Sequence, residues 1–236
     1  MNFKPAKDSK HQEVVYTKAH WTLLRKNREN AIRIMSALEK VNIRTIIHGS
    51  IARGDITKKS DIDLFVTTPS SSFRIETALE KENLSAKRRM IIQATPRYAM
   101  KAHIEISDNT SISFSLMRMR KIEREFYKFG GEADVDQLRR DIRVVGVDKR
   151  LILIQPSIVG HTEMPIIGQE EFAAKILGIS VETVQDRVHA LLKRDKIGRT
   201  GVFIKRVLSE NETFEMLLQR LTYENPAVRR RTRQRI

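Results

Sequence analysis

The 236-residue chain contains no cysteine, which excludes disulfide staples and thiolate-bound metals. No stretch approaches the roughly 20 consecutive apolar residues that a membrane helix requires. Met1 to Lys10 carries lysines with no apolar run behind them, so it does not read as a secretory signal. The six histidines are scattered without a paired ligand spacing, which argues against a structural zinc site. Acids are the scarce charge: 29 Asp and Glu stand against 44 Lys and Arg, a net charge of +15. That one-sided excess points to a polyanionic partner, nucleic acid first, rather than to ion-pair networks, which balance the signs. The length suffices for one large or two small domains with a buried core, and a cytoplasmic location is the simplest fit.

What the chain does have is concentrated in residues 48–66. An apolar run, Thr45 to Ile47, leads into Gly49-Ser50. A ten-residue spacer (51–60) then precedes Asp61-Ile62-Asp63 and the apolar Leu64-Phe65-Val66. On a strand, side chains alternate faces, so Asp61 and Asp63 share one side while Ile62, Leu64 and Val66 enter the layer behind. Two neighbouring carboxylates repel and are costly to desolvate without a counter-charge. A hard divalent cation such as Mg²⁺, held by one or two carboxylates and otherwise by water and phosphates, removes that cost. Gly49 lets backbone approach a phosphate, and a short helix starting near Ser50 would aim N–H groups at the anion.

Gly49-Ser50-x-x-Arg53-Gly54 followed by Ser60-Asp61-Ile62-Asp63 resembles the DNA polymerase β-like nucleotidyltransferase superfamily. Its fuller form is similar to archaeal CCA-adding enzymes and to small archaeal nucleotidyltransferases with an appended winged helix. The resemblance covers roughly residues 43–117 and implies an α+β fold, a mixed sheet flanked by helices. It also implies a third metal-binding carboxylate on a later strand. Between Asn83 and Ser107 the only acid is Glu105, which becomes the candidate, although relatives more often carry aspartate there. Two Mg²⁺ ions (or Mn²⁺) on Asp61, Asp63 and Glu105 would then activate an acceptor hydroxyl against the α-phosphorus of a nucleoside triphosphate. Gly49 and Ser50 would seat the triphosphate; Arg53, or Lys58 and Lys59, would neutralise the departing pyrophosphate; Ser60 would organise the turn.

Elsewhere the pattern predicts a flexible basic segment over residues 1–15, then the nucleotidyltransferase domain over 16–157. A long helix from Tyr16 to Lys40, broken near Asn27 to Asn30, carries Trp21 as a packing residue. Alternating runs over 99–117, joined at Asp108-Asn109, predict a hairpin with one apolar and one polar face. His103 falls on that polar face, as a substrate-side hydrogen bonder or a surface residue. Residues 118–129 form a basic amphipathic helix stopped by Gly130-Gly131. Asp134-Val135-Asp136 copies the Asp-x-Asp spelling without its surroundings and reads as a helix start. Residues 158–225 read as a winged helix-turn-helix domain: helices over 170–177 and 181–194 about Gly178, then a wing hairpin over 196–206 with a basic tip. Residues 226–236, with Arg229, Arg230, Arg231, Arg233 and Arg235, read as a disordered electrostatic arm.

The charge and the helix-turn-helix favour an RNA or DNA end as acceptor; a protein or a small molecule is the alternative within the same reaction class. A non-catalytic DNA-binding regulator with a nucleotide-sensing domain is the rival from another class. The oligomeric state is open.

Overall fold

Residues 18–39 contain neither glycine nor proline, and the backbone stays helical throughout them. The computed structural model describes residues 12–198 and 200–233. The chain runs through β1 (Gln12–Val15), α1 (Lys18–Glu39), β2 (Thr45–His48), α2 (Ser50–Arg53), β3 (Ile62–Val66), α3 (Ser72–Glu80) and β4 (Arg88–Gln93). Next come β5 (Lys101–Ser107), β6 (Thr110–Ser115), α4 (Lys121–Phe129), β7 (Glu132–Ala133), α5 (Val135–Arg139) and β8 (Gly146–Val147). The remainder is β9 (Ile152–Ser157), β10 (Gly160–Pro165), α6 (Glu170–Leu177), α7 (Val181–Ile197), β11 (Ile204–Val207), α8 (Phe214–Glu224) and α9 (Pro226–Arg233). Mixed strands with flanking helices make this an α+β fold, as expected. Among the described residues no helix is long and apolar enough to cross a membrane.

Contacts divide the chain into two units that each draw on separate stretches of sequence. The described part of the first unit comprises residues 12–32, 47–60 and 124–200, without 199. Its four-stranded antiparallel sheet is ordered β1–β10–β9–β8. Phe129, Val147, Leu151, Leu153, Met164 and Ile166 form one core with Ala173, Ala174, Leu177, Val184, Val188 and Leu191 of α6 and α7. The helix-turn-helix pair is present, with Gly178 in the left-handed conformation between its helices. It does not begin a separate domain at residue 158, because β9 and β10 pair across that boundary (Ser157 opposite Gly160). Nor are residues 12–15 a loose tail; Gln12 to Val15 pair with Glu163 to Gly160. The rest of that expected segment, residues 1–11, lies outside the described residues.

Two buried arginines brace this unit. Leu24, Arg28 and Ala31 recur on one side of α1 and are all at most 3% exposed, so α1 continues through Asn27 to Asn30 instead of breaking. Arg28 is tolerated there because its guanidinium donates to the carbonyls of Ile51 and Ala52. The second is Arg53, described with the site below. Asp134 starts α5 as read from the sequence: its side chain accepts from Gln137 N, and the Gln137 side chain accepts in return from the Asp134 N–H.

The described part of the second unit comprises residues 33–46, 61–123 and 201–233. Its strands are ordered β11–β4–β5–β6–β3, with β3 parallel to β6 and the β11–β4, β4–β5 and β5–β6 pairs antiparallel. β5 and β6 form the expected hairpin. Ala102, Ile104, Ile112 and Phe114 fill its apolar side, and the Phe114 ring meets Phe214 of α8 edge-on at 5.3 Å. Among the described residues of 196–206 no wing hairpin is seen. Only Ile204–Val207 is strand, and it pairs with β4, Ile204 opposite Gln93 and Val207 opposite Met90. An uncovered strand edge presents unpaired backbone groups, and β11 satisfies those of β4.

The arginine-rich end is also ordered as far as residue 233. Pro226 occupies the first position of α9, where its missing N–H costs nothing. Asn225 Oδ1 accepts from the N–H groups of Ala227 and Val228. Val228 and Arg231 then fall on one buried face. Arg231 donates to the carbonyls of Arg97 and Arg118 and to Glu123, a carboxylate only 1% exposed. A disordered arm is therefore wrong for residues 226–233, because one arginine serves as an internal anchor; residues 234–236 lie outside the described residues.

Candidate functional site

In the first unit, β2 delivers the chain to Gly49, whose φ of 85° and ψ of −148° lie where only glycine is unstrained. A Cβ built there would meet no described residue within 4 Å, so the Cα side of Gly49 is open, while its N–H already donates to the Gly131 carbonyl and its own carbonyl accepts from Arg53 N. Ser50 follows at the start of α2, and its hydroxyl donates to Ser60 Oγ at 3.0 Å. Ser60 Oγ also accepts from Thr57 N at 2.9 Å. Ser60 thus organises the turn, as read from the sequence, and it immediately precedes Asp61 in the chain.

Arg53 does not do what the sequence suggested. It is 4% exposed, makes a two-pronged pair with Asp55 at 2.9 and 2.8 Å, and donates to the Gly130 and Val147 carbonyls. Four of its five N–H groups are committed inside the protein and the side chain is buried, so it is not placed to meet a triphosphate. Lys58 and Lys59, by contrast, are exposed. Lys58 lines a groove of about 570 Å³ together with Lys18, Ala19, Thr22, Leu23 and Lys26.

In the second unit, Asp61 is exposed just before β3 and Asp63 lies half-buried on it. The register places Asp63 opposite Ser111 of β6, and Ser111 opposite Glu105 of β5. Ser111 Oγ donates to Asp63 Oδ1 at 2.8 Å. Among the described residues no cationic side chain forms an ion pair with Asp63, a setting that suits a divalent cation.

Glu105 is on the anticipated face but not in the anticipated company. Because β6 lies between β3 and β5, Glu105 sits two strand spacings, roughly 10 Å, from Asp63. Its carboxylate instead takes a two-pronged pair from Arg88 at 2.8 and 2.9 Å, which holds its pKa below the usual carboxylate value. Among the described residues no three His, Asp or Glu side chains gather where they could hold a metal ion. Glu105 therefore stands apart from Asp63, paired with Arg88, and is not gathered with Asp61 and Asp63 into the expected three-carboxylate set among the described residues. Glu105→Gln is expected to leave transfer within about threefold of wild type and to change stability by less than about 1 kcal/mol, since the pair is surface-exposed. Steady-state rates and melting curves check both.

The next row of the same face carries His103, opposite Ser113. Burial first, then the nearby Lys101, pushes its pKa down to about 4; Lys205 acts the same way, while Asp63 and Glu105 oppose. One step further, Lys101 is pushed down to about 8 by burial, with its ammonium 5.6 Å from the Phe65 ring centre. Neutral His103 suits the fold and charged His103 does not. The unfolded chain binds that proton below pH 6.5, so this group lowers stability progressively from pH 6.5 down to about 4. His103→Gln is expected to recover about 2–3 kcal/mol of stability at pH 4 and none at pH 7.5, measured by urea unfolding without divalent metal.

Sequence reasoning passed over Ser111, Lys101 and the Lys18–Lys26 stripe. The alternating serines 111, 113 and 115 were visible as a polar face, but nothing local marks which serine meets an aspartate. The family model described as a nucleotidyltransferase domain matches residues 28–210. No curated protein and no solved structure matches the chain.

Proposed function

Since the chain belongs to the nucleotidyltransferase domain family, and so to enzymes that transfer nucleotidyl groups from nucleoside triphosphates, we propose that it transfers a nucleoside monophosphate to a hydroxyl on nucleic acid. The observation that carries the reading is Asp63: a half-buried carboxylate, fixed by Ser111 and without a cationic partner among the described residues. Asp61 and Asp63 would hold Mg²⁺ (or Mn²⁺), which when bound supplies neutralising charge at the phosphates and acidity at the attacking hydroxyl. Gly49, lacking a side chain, would let the triphosphate come close, and the Ser50 hydroxyl would exchange its bond to Ser60 Oγ for one to a phosphate oxygen; Lys58 and Lys59 would supply charge for the departing pyrophosphate. The acceptor oxygen bonds to the α-phosphorus as the bond to pyrophosphate breaks, and the hydroxyl proton passes to water. The net charge of +15 favours nucleic acid as the acceptor.

One observation favours a second reading, a nucleotide-sensing domain that does not catalyse transfer: among the described residues no third acid gathers with the aspartates. The two readings separate in one assay. The enzyme releases pyrophosphate from a nucleoside triphosphate in Mg²⁺ when an oligonucleotide is supplied; the sensor binds the triphosphate and leaves it whole.

A further inference from the structure

We propose that the groove between α1 and the turn at 57–60 binds the phosphodiester backbone of the acceptor strand; this rests on the nucleic-acid reading above and names the surface that performs it. Lys18, Thr22 and Lys26 recur every four residues and so form one stripe along α1. Lys58 lines the groove as well, and Ala19 and Leu23 give it apolar surface. Lys18, Lys26 and Lys58 are exposed, and among the described residues none forms an ion pair with an acid. Of the two acids three positions from Lys58, Asp55 is committed to Arg53, and among the described residues Asp61 forms no ion pair with Lys58. Lys18 and Lys26 lie about two turns apart on the same side of α1, a spacing that an extended polyanion can bridge.

Size and shape select the ligand. A volume of about 570 Å³ is on the scale of a nucleotide-sized ligand, far larger than a single ion needs. From Lys18 to Lys26 the helix rises about 12 Å, which matches three or four steps of a stacked strand at about 3.4 Å each. Phosphates fit the lysine ammonium groups, while ribose and base edges fit the apolar surface of Ala19, Leu23 and lysine stems. The groove includes Lys58, inside the spacer between Ser50 and Asp61, so a strand held along α1 leads toward the Gly-Ser turn.

The test uses the full chain and 12-nucleotide single-stranded RNA and DNA probes, read by fluorescence anisotropy at several salt concentrations. K18Q/K26Q is expected to bind the better probe at least about tenfold more weakly at low salt. Its log Kd against log salt slope should flatten by about 1.4, two single-strand contacts at about 0.7 each. K18R/K26R should restore both, and the KM for the nucleoside triphosphate should not change. Unaltered oligonucleotide affinity and slope in a normally melting K18Q/K26Q protein would overturn the proposal. So would an equal loss of triphosphate binding, which would make the groove a triphosphate site, or selective binding of polyglutamate over both oligonucleotides. If the wild type binds oligonucleotide through these lysines yet incorporates no nucleotide, the groove stands and the transfer reading falls.

Discussion

Asp63→Asn protein is expected to lose about 10³-fold or more of its nucleotidyl transfer while melting within a few degrees of wild type. The substitution keeps size and the hydrogen bond from Ser111 but removes the charge that holds a cation. Cation-based stabilisation of the transferring phosphate is worth several kcal/mol, and each 1.36 kcal/mol is tenfold in rate. The fold should not suffer, because Asp63 is half-buried and its backbone stays in the β3–β6 ladder. A variant that retains more than about a tenth of wild-type turnover in Mg²⁺ would remove Asp63 from the chemistry. The check is single-turnover incorporation of α-labelled nucleotide, paired with calorimetry of the same preparations.

Arg53→Ala should do the opposite, damaging stability more than chemistry. Its guanidinium is 5% exposed and pairs with Asp55, itself 12% exposed, and it donates to the Gly130 and Val147 carbonyls. Removing one partner of such a pair strands a buried carboxylate and leaves carbonyls unsatisfied, a loss of about 3–5 kcal/mol. In a protein of this size that corresponds to a fall in Tm of roughly 6–20 °C. Gly131 reports on the same packing: a Cβ there would lie 2.7 Å from Arg53 Cγ. If Arg53 instead contacted the triphosphate, the variant would keep its Tm and show a raised KM. Thermal melts and KM measured well below the lowered Tm separate these outcomes.

The contrast between Asp63 and Arg53 shows which part of the fold is written locally. Alternation placed Asp63 on a polar face and Ile62 and Leu64 in the core, because strand geometry depends only on the strand. The β5–β6 hairpin and the Asp134 helix start were legible for the same reason, since turn and cap chemistry act within a few residues. Arg53 was misread because its partners Gly130 and Val147 lie 77 and 94 positions away. An arginine near a phosphate-type turn looks like a ligand until its burial is known.

Glu105 failed for a topological reason. Elimination identified the only acid between Asn83 and Ser107, but it could not say that β6 would enter between β3 and β5. The winged hairpin failed because pairing with a distant edge, β4, competed with local pairing and won. The arginine arm failed because charge was equated with exposure, whereas Arg231 finds Glu123 and two carbonyls 108 to 134 residues away. A cue existed in Asn225-Pro226, a cap residue followed by the residue best suited to the first helical position.

The central claim is that the aspartate pair serves phosphoryl chemistry. Its most direct test supplies wild-type protein with each α-³²P-labelled nucleoside triphosphate, an oligonucleotide carrying a free 3′ hydroxyl, and Mg²⁺ or EDTA. The account predicts label on the oligonucleotide with equimolar pyrophosphate, abolished by EDTA and by Asp63→Asn. Triphosphate that binds the protein yet stays intact in Mg²⁺, with every nucleotide and with RNA and DNA alike, would contradict it.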